Sequence, residues 1–305
     1  MLAVYPWAFS YCYIGRPEPQ RQIRVNEAHF FICVYLGNCR LWAYGKEKFN
    51  IYNMNKKVYL AYFDILGFKN IVKNKSRKDF GKFINNVYVA TQSALSEKRC
   101  DGVDQCTYIT DMRESRVNCL HISDSILLWT NNDSCDDLHE IIMACRRLIV
   151  NKSVINHLLR GCLTYGYVEY DFFDIRQTHS TFLNYSIAGN AVVDAYEIAE
   201  SLLMTGCAVT KPLYEQVLDC GKDQKYITNR NIQTKKGMKK LSMIAPFEKD
   251  VYVQLVDNTI NSLQGAFKIP LKNKEDSLPK DVELKLNNTI DFYRSFLNPN
   301  KSCSK

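Results

Sequence analysis

The chain has 305 residues, of which 46% are hydrophobic and 24% are charged, the balance of an ordinary globular protein. This length allows one large domain or two small ones, each with a hydrophobic core. No uninterrupted apolar run approaches the roughly 18 residues that a membrane-spanning helix requires. The formal net charge of +8 suits a nucleotide, a nucleic acid or an anionic surface as partner.

The twelve cysteines include no Cys-x-x-Cys pair, and the five histidines are scattered. A structural zinc site usually needs ligands paired at short spacing, so zinc has no support here. Cys135, His139 and Cys145 could share a helix, but helix packing explains them as well. A chain of this size needs no disulfide, and we predict reduced thiols in a cytoplasmic protein. The start of the chain lacks a signal peptide's basic segment, and its apolar run is broken at Pro6.

Residues 1–53 differ in composition from the rest of the chain. They are rich in Tyr, Cys and Trp, and they show no sustained helix or strand period. Met54 resembles a natural chain start, because it leads directly into an apolar run. We therefore expect residues 1–53 to be an N-terminal extension without a fold of its own.

The hydrophobic pattern becomes regular after this extension. A nearly continuous apolar run at 58–64 predicts a buried strand, and apolar residues at helical spacing predict a helix at 76–96. The stretch 97–114 is polar and irregular. The later predicted elements are strands at 117–122 and 125–130 that form a hairpin, a helix at 135–151 with its N-cap region at 132–134, a strand at 158–170, a helix at 190–203, a strand at 207–210, a helix at 211–218, a strand at 251–256 and a helix at 280–297.

The order of these elements, β-α-β-β-α-β with additions, predicts an α+β protein. Its core would be a ferredoxin-like split βαβ unit, in which helices cover one face of an antiparallel sheet. We assign this catalytic domain to residues 54–257. The remaining residues, 258–305, are expected to be a C-terminal tail with one helix.

Two aspartates stand out because each is a lone carboxylate in an apolar, strand-forming stretch. Asp64 ends the run at 58–64, and Asp124 lies in the hairpin turn between two predicted strands. A buried carboxylate is costly unless a counter-charge accompanies it. Two such carboxylates could hold Mg²⁺ or Mn²⁺, although each aspartate could instead cap a strand or a helix.

Five motifs, in order over residues 57–257, resemble those of the class III nucleotidyl cyclases, the adenylate and guanylate cyclase family. Any one of them is weak, but their order is fairly specific. The five are Phe-Asp-Ile-Leu-Gly-Phe at 63–68, Ser-Asp at 123–124, Arg-Gly-Cys-Leu-Thr-Tyr-Gly at 160–166, Gly-Asn-Ala-Val-Val-Asp-Ala at 189–195 and the strand–helix segment 206–214.

The resemblance implies a two-metal site with two Mg²⁺ or Mn²⁺ ions held by Asp64 and Asp124. The Ile65 carbonyl would be a further metal ligand. Arg160 would be a catalytic cation on the substrate phosphates, or else a strand arginine that pairs with a neighbouring acid. Lys236 resembles the family's triphosphate lysine, but the basic run 235–240 could also be a solvated loop.

A turn after the first aspartate would bind phosphate oxygens through the backbone amides of Leu66, Gly67 and Phe68. Gly67 would permit the close approach, although a plain turn glycine is an equal alternative. Four aromatic residues could shape a base pocket, but core packing is the safer interpretation for most of them. These are Tyr62, Phe63, Phe68 and Tyr165.

The departures from the family pattern are also informative. The positions of the lysine and aspartate that read a purine base are Leu120 and Ser186 here, and Val193 and Glu197 stand where an asparagine and an arginine steady the transition state. A sequence that keeps the metal aspartates but lacks the residues that recognise a purine resembles the pyrimidine cyclases of bacterial Pycsar anti-phage defence. That resemblance implies cyclisation of UTP or CTP by a homodimer and a separate effector that the cyclic nucleotide activates. It implies no direct contact with nucleic acid or with a membrane.

Two alternatives stay open at this point. Loss of the helix asparagine and arginine favours a catalytically inactive module that binds a nucleotide or a partner. A palm-type polymerase or diguanylate cyclase would share the split βαβ core, but the chain lacks their Gly-Gly-Asp/Glu-Glu/Asp-Phe hairpin.

Overall fold

The computed structural model describes residues 29–35, 38–44, 56–96, 100–104, 107–110, 112–150, 158–176, 181–247, 253–271 and 277–297. The chain divides into two compact units, Met1–Ile51 and Tyr52–Lys305. In the first unit, β1 (His29–Tyr35) pairs antiparallel with β2 (Asn38–Tyr44). This hairpin lies where no strand was predicted.

The second unit contains the α-helices and the other strands of the described residues. They are β3 (Lys56–Ile65), α1 (Phe68–Asn74), α2 (Arg77–Leu95), β4 (Cys100–Asp104), β5 (Thr107–Thr110), β6 (Val117–Ile122), β7 (Ser125–Thr130), α3 (Cys135–Val150), β8 (Leu159–Arg176), β9 (Thr181–Ala188), α4 (Asn190–Ser201), β10 (Gly206–Val209), α5 (Lys211–Cys220), β11 (Ile227–Thr234), β12 (Gly237–Ile244), α6 (Val253–Phe267) and α7 (Lys280–Arg294).

An eight-stranded sheet organises this unit. Seven strands follow the order β11-β12-β10-β8-β3-β7-β6, and β9 pairs with β8. Among the strand pairings that the structure describes in this sheet, only β8–β10 is parallel. The inner order β8-β3-β7-β6, with α2 and α3 as its two helical connections, is the ferredoxin-like split βαβ arrangement, so the predicted fold class is confirmed.

The two faces of β3 carry different groups. Side chains alternate along a strand, so Tyr62 and Asp64 share one face and Phe63 lies on the other. The Tyr62 ring contacts the Tyr196 ring of α4, with 5.5 Å between centroids. Phe63 is fully buried on the opposite face, directly across from Gly161 of β8. Asp64 therefore lies on the side of the sheet against which α4 packs.

The two core helices begin where the sequence predicted, and each has a serine as its N-cap. The Ser76 hydroxyl accepts a hydrogen bond from the Asp79 amide at 3.2 Å, and Ser134 accepts one from the Asp137 amide at the same distance. Such caps satisfy amides that a helix leaves unpaired at its first turn. The predicted hairpin at 117–130 is also present with its predicted bounds.

Several elements differ from the sequence predictions. The predicted strand at 251–256 is wrong, because Val253 already begins α6, whose buried Val256, Ile260 and Leu263 recur at helical spacing. The helix predicted at 280–297 is present as α7. Both helices contribute residues to the hydrophobic core, so they belong to the same compact unit as the sheet. The strands β4, β5, β9, β11 and β12 were not predicted.

The prediction of reduced thiols is wrong for one pair of cysteines. Cys135 at the start of α3 forms a disulfide with Cys220 at the end of α5. Nearby, His139 Nδ1 lies 2.7 Å from Asp223 Oδ1, which links the same two regions. The three residues of the candidate trio thus have different surroundings. Cys135 is in the disulfide, His139 contacts Asp223, and Cys145 is buried in the core. No described helix is both long enough and apolar enough to cross a membrane.

Candidate functional site

The structure brings the two predicted metal aspartates to the same end of the sheet. Asp64 is the penultimate residue of β3, and Asp124 lies in the β6–β7 turn, next to Ser123 with its positive φ of 57°. The Ile65 amide donates a hydrogen bond to the Asp124 carbonyl at 3.0 Å. Asp64 pairs with Ser125 in the strand ladder, so neighbouring strands hold the two residues in register.

Arg160 lies directly opposite Asp64 on β8. Its Nε and Nη2 donate hydrogen bonds to Asp64 Oδ2 at 3.0 and 2.8 Å. Both side chains are largely buried, with 8% of Arg160 and 14% of Asp64 exposed. Arg160 therefore pairs with a neighbouring acid in the structure, which is one of the two roles that the sequence analysis considered for it.

Three of the four carboxylate oxygens keep their capacity to bind a ligand. Within the described residues, Asp64 Oδ1 accepts no hydrogen bond, and neither oxygen of Asp124 accepts one. Two close carboxylates with unused oxygens repel each other unless a cation lies between or beside them.

Arg160 also contacts a second acid, Glu200. Its Nη2 donates to Glu200 Oε1 on α4, and its Nη1 lies 3.3 and 3.4 Å from the carbonyl oxygens of Glu200 and Leu202. Lys235, in the β11–β12 turn, binds the other Glu200 oxygen at 2.9 Å. Glu200 therefore joins two cations, Arg160 and Lys235.

The electrostatic environment disfavours the charged form of Asp64. Burial raises the pKa of Asp64, the Arg160 charge and hydrogen bonds oppose the rise, and the charges of Asp124 and Glu200 add to it. Burial also acts to raise the pKa of Glu200, but Lys235 and Arg160 together hold it below its ordinary value. At neutral pH, Glu200 is therefore ionised. The positive charge of Arg160 does not fully offset the effects that disfavour the charge on Asp64.

The predicted phosphate-binding turn is only partly available. The Leu66 amide already donates to the Leu158 carbonyl at 2.8 Å, so the prediction for Leu66 is not supported. Gly67 has a φ of 77°, and a Cβ there would lie 2.6 Å from Pro270 Cγ. Gly67 and Phe68 remain the candidates for contacts with phosphate.

The basic β11–β12 turn contributes a different residue from the one predicted. Lys236 is exposed, and its amide donates to Thr234 Oγ1 at 3.2 Å. The neighbouring Lys235 is the residue that reaches the cluster, through Glu200. Sequence spacing gave no signal for Glu200 or Lys235, since they lie 40 and 75 positions along the chain from Arg160.

The aromatic residues near the aspartates belong mostly to the core. Phe63 is completely buried and Tyr62 is 6% exposed. Tyr165 donates a hydrogen bond to Asp133 Oδ2 at 2.9 Å. Phe68 packs edge-on against Phe80 at 5.9 Å between centroids.

Tyr62 supports the site through its hydroxyl group, which lies 3.0 Å from Ser125 Oγ. Burial raises the pKa of Tyr62 to about 12, so the hydroxyl stays protonated at neutral pH. We expect Tyr62→Phe to lower the free energy of unfolding by about 1 kcal/mol, the usual value of one such hydrogen bond. Urea denaturation checks this, with Tyr196→Phe as the matched loss of a hydroxyl. A Tyr62→Phe protein as stable as the wild type would contradict the assignment.

The chemistry of the donor set fits a hard divalent cation. Carboxylate oxygens suit Mg²⁺ and Mn²⁺, and Asp64 and Asp124 have three oxygens without protein donors among the described residues. Among the residues that the structure describes, no three or more His, Cys, Asp or Glu side chains form a group that could hold a metal ion. Remaining ligands would therefore come from a backbone carbonyl such as that of Ile65, from water or from substrate phosphates, as Mg²⁺ sites commonly use.

No protein-family model and no curated protein matches the chain. Among solved structures, it is similar to a bacterial light-regulated adenylyl cyclase, with 14% identity and a TM-score of 0.40 over 72% of this chain and 57% of the other. The adenylyl cyclase CyaB from P. aeruginosa is 12% identical, with a TM-score of 0.40 over 65% of this chain and 97% of the other. The guanylyl cyclase Cya2 is 13% identical, with a TM-score of 0.37 over 62% and 91%. The function must therefore be inferred from the site.

Proposed function

We propose that this protein is a divalent-cation-dependent nucleotidyl cyclase that converts UTP or CTP to 3′,5′-cyclic UMP or cyclic CMP and pyrophosphate. The observation that carries the proposal is the pair of carboxylates at one end of the sheet, Asp64 on β3 and Asp124 in the adjoining β6–β7 turn, of whose four oxygens three accept no hydrogen bond from the described residues. By its resemblance to Pycsar cyclases, the protein would act as a cytoplasmic homodimer. Its product would activate a separate effector protein in anti-phage defence.

The reaction is an in-line displacement within one substrate molecule. The ribose 3′-oxygen attacks the α-phosphorus and loses its proton, while the bond from that phosphorus to the bridging oxygen breaks and pyrophosphate leaves. When bound, two Mg²⁺ or Mn²⁺ ions would make the hydroxyl more acidic and neutralise charge on the triphosphate.

Residues of the chain would position these groups. Asp64 and Asp124 would hold the cations, with the Ile65 carbonyl as a further ligand. The amides of Gly67 and Phe68 would bind phosphate oxygens, and Arg160 would place its charge near the transferring phosphoryl group. Lys236 would contact the triphosphate from the β11–β12 turn. Positioning and charge account for most of the catalysis, because the protein forms no covalent bond.

The proposed preference for a pyrimidine depends on two uncharged side chains, those of Leu120 and Ser186. Leu120 on β6 and Ser186 on β9 stand where purine cyclases have a lysine and an aspartate. Leu120 is partly buried and Ser186 is exposed, and neither carries a charge. A site without that charged pair loses the hydrogen bonds that would select adenine or guanine.

Product analysis tests the proposal. The full chain is incubated with each of ATP, GTP, UTP and CTP and Mn²⁺, and products are separated and identified by mass spectrometry. We expect cyclic UMP or cyclic CMP in excess over the purine products, and none with Asp124→Asn. Cyclic AMP or cyclic GMP as the main product would contradict the pyrimidine assignment, and a dinucleotide would indicate a diguanylate cyclase or polymerase.

A specific observation also favours a second candidate, a catalytically inactive nucleotide- or partner-binding module. Val193 and Glu197 are both exposed on α4, at the positions of the family's transition-state asparagine and arginine. Arg160, the candidate catalytic cation, is already paired with two acids. Binding of UTP or CTP without any cyclic product, at high enzyme concentration, would favour this module.

A further inference from the structure

Arg160 is held by two separate sets of acceptors. One is the Asp64 carboxylate, which takes hydrogen bonds from Nε and Nη2. The other lies at the end of α4, where Glu200 Oε1 and the carbonyl oxygens of Glu200 and Leu202 surround the same guanidinium. A strand arginine that served only to neutralise Asp64 would not need the second set.

We propose that Arg160 and the first divalent cation are alternative partners of Asp64, and that Glu200 is the positioning residue that keeps Arg160 when the cation enters. This inference rests on the metal site of the proposed function. In the metal-free protein, Arg160 would supply the counter-charge of Asp64. When a cation binds, the guanidinium would leave Asp64 Oδ2 and stay with Glu200 and the α4 carbonyl oxygens.

The burial of the groups explains why such an exchange needs an acceptor. Arg160 is only 8% exposed, and a buried charge left without a partner is strongly destabilising. An arginine that still contacted Asp64 would also repel an arriving divalent cation. Glu200 already contacts Nη2 of Arg160. Arg160 can therefore lose its contact with Asp64 and still have a carboxylate partner for its buried charge.

Lys235 sets how strongly Glu200 can bind Arg160. It occupies Oε2 at 2.9 Å and leaves Oε1 for the guanidinium. Glu200 is therefore shared between two cations in the structure. Its charge persists at neutral pH, so the acceptor is ready before any metal arrives.

The test is the affinity of the full chain for Mn²⁺ without nucleotide, from the electron paramagnetic resonance signal of free Mn²⁺. Arg160→Gln removes the competing cation, and we expect the affinity to rise about tenfold, within the range that coupled neighbours show. Glu200→Gln leaves Asp64 as the only carboxylate in contact with Arg160, and we expect a fall of about fivefold. Asp194→Asn, an equal charge change at an exposed position of α4, should change little.

A double variant separates this mechanism from a simple field effect. If Glu200 acts through Arg160, Glu200→Gln should have no effect on Mn²⁺ affinity once Arg160→Gln is present. If Glu200 attracts the metal by its own charge, its replacement should weaken binding equally in both backgrounds, and the proposal would be overturned. Melting curves confirm that each variant is folded. If Arg160→Gln does not fold, Arg160→Lys replaces it in the test. Lysine cannot make the two-pronged contact with Asp64, so we expect a smaller rise in Mn²⁺ affinity.

The outcomes also separate this inference from the proposed function. Wild-type protein that binds no Mn²⁺ would remove both the metal site and the exchange. Wild-type binding that Arg160→Gln leaves unchanged or weakens would overturn the exchange alone. The expected pattern in a protein that makes no cyclic nucleotide would support the exchange and count against the cyclase.

Discussion

Replacement of Asp64 or Asp124 by asparagine is expected to lower cyclic-nucleotide formation by at least about a hundredfold, because even residues outside the ligand shell of a metal are worth roughly 10–100-fold. Each substitution removes one carboxylate from a site that has two. Initial rates with UTP and CTP at saturating Mn²⁺ measure the effect. Either variant with a near-normal rate would mean that the carboxylates do not bind the catalytic metals.

Loss of activity in these variants should not come from unfolding. Burial raises the pKa of Asp64, which means that the folded protein disfavours its charge. The amide introduced by Asp64→Asn keeps an oxygen that can accept from Arg160, so we expect this variant to melt within about 5 °C of the wild type or above it. A much lower melting temperature would show that the Asp64–Arg160 pair is mainly structural.

A large loss of stability is expected for Gly161→Ala. Gly161 follows Arg160 on β8, and an added Cβ would lie 2.3 Å from a Phe63 ring carbon and 2.5 Å from the Tyr62 carbonyl oxygen. Neither atom can move freely, because Phe63 is completely buried and the carbonyl belongs to the central strand. We expect the free energy of unfolding to fall by about 3 kcal/mol, at the upper end of overpacking costs.

Gly166→Ala is the matched control, on the same strand. Its Cβ would lie 3.0 Å from the Asn190 side-chain oxygen and 3.3 Å from the Ala191 methyl group. The Asn190 side chain can shift, so the loss should be well under half of that for Gly161→Ala. Urea denaturation of both variants measures the difference, and equal losses would show that the Gly161 contacts do not determine the result.

Local sequence patterns were sufficient for the core of the fold. The apolar run before Asp64 and the strand-forming stretches on both sides of Asp124 specified the strands next to these residues, and Ser76 and Ser134 marked the helix starts. These signals act over a few residues, so a single sequence shows them directly. That Asp64 and Asp124 lie together was expected from the resemblance to class III cyclases and not from a local pattern.

The surroundings of the site depend on contacts between distant segments. Glu200 resembles any solvated helix glutamate in sequence, and only the packing of α4 beside β8 brings it to Arg160. The contact of Lys235 with Glu200 was missed because the β11–β12 hairpin was not foreseen, since its strands are largely polar and half exposed. The Cys135–Cys220 disulfide likewise joins residues 85 positions apart.

The most direct test of the metal site is a crystal structure of the protein grown with Mn²⁺ and a non-cyclisable UTP analogue, with anomalous scattering used to locate manganese. We predict manganese within about 2.3 Å of carboxylate oxygens of both Asp64 and Asp124, close to the distances of hard divalent cations. Arg160 should have left Asp64 Oδ2 and remained with Glu200. Nucleotide bound at the site without manganese on either aspartate, and with the Asp64–Arg160 pair intact, would contradict the two-metal account.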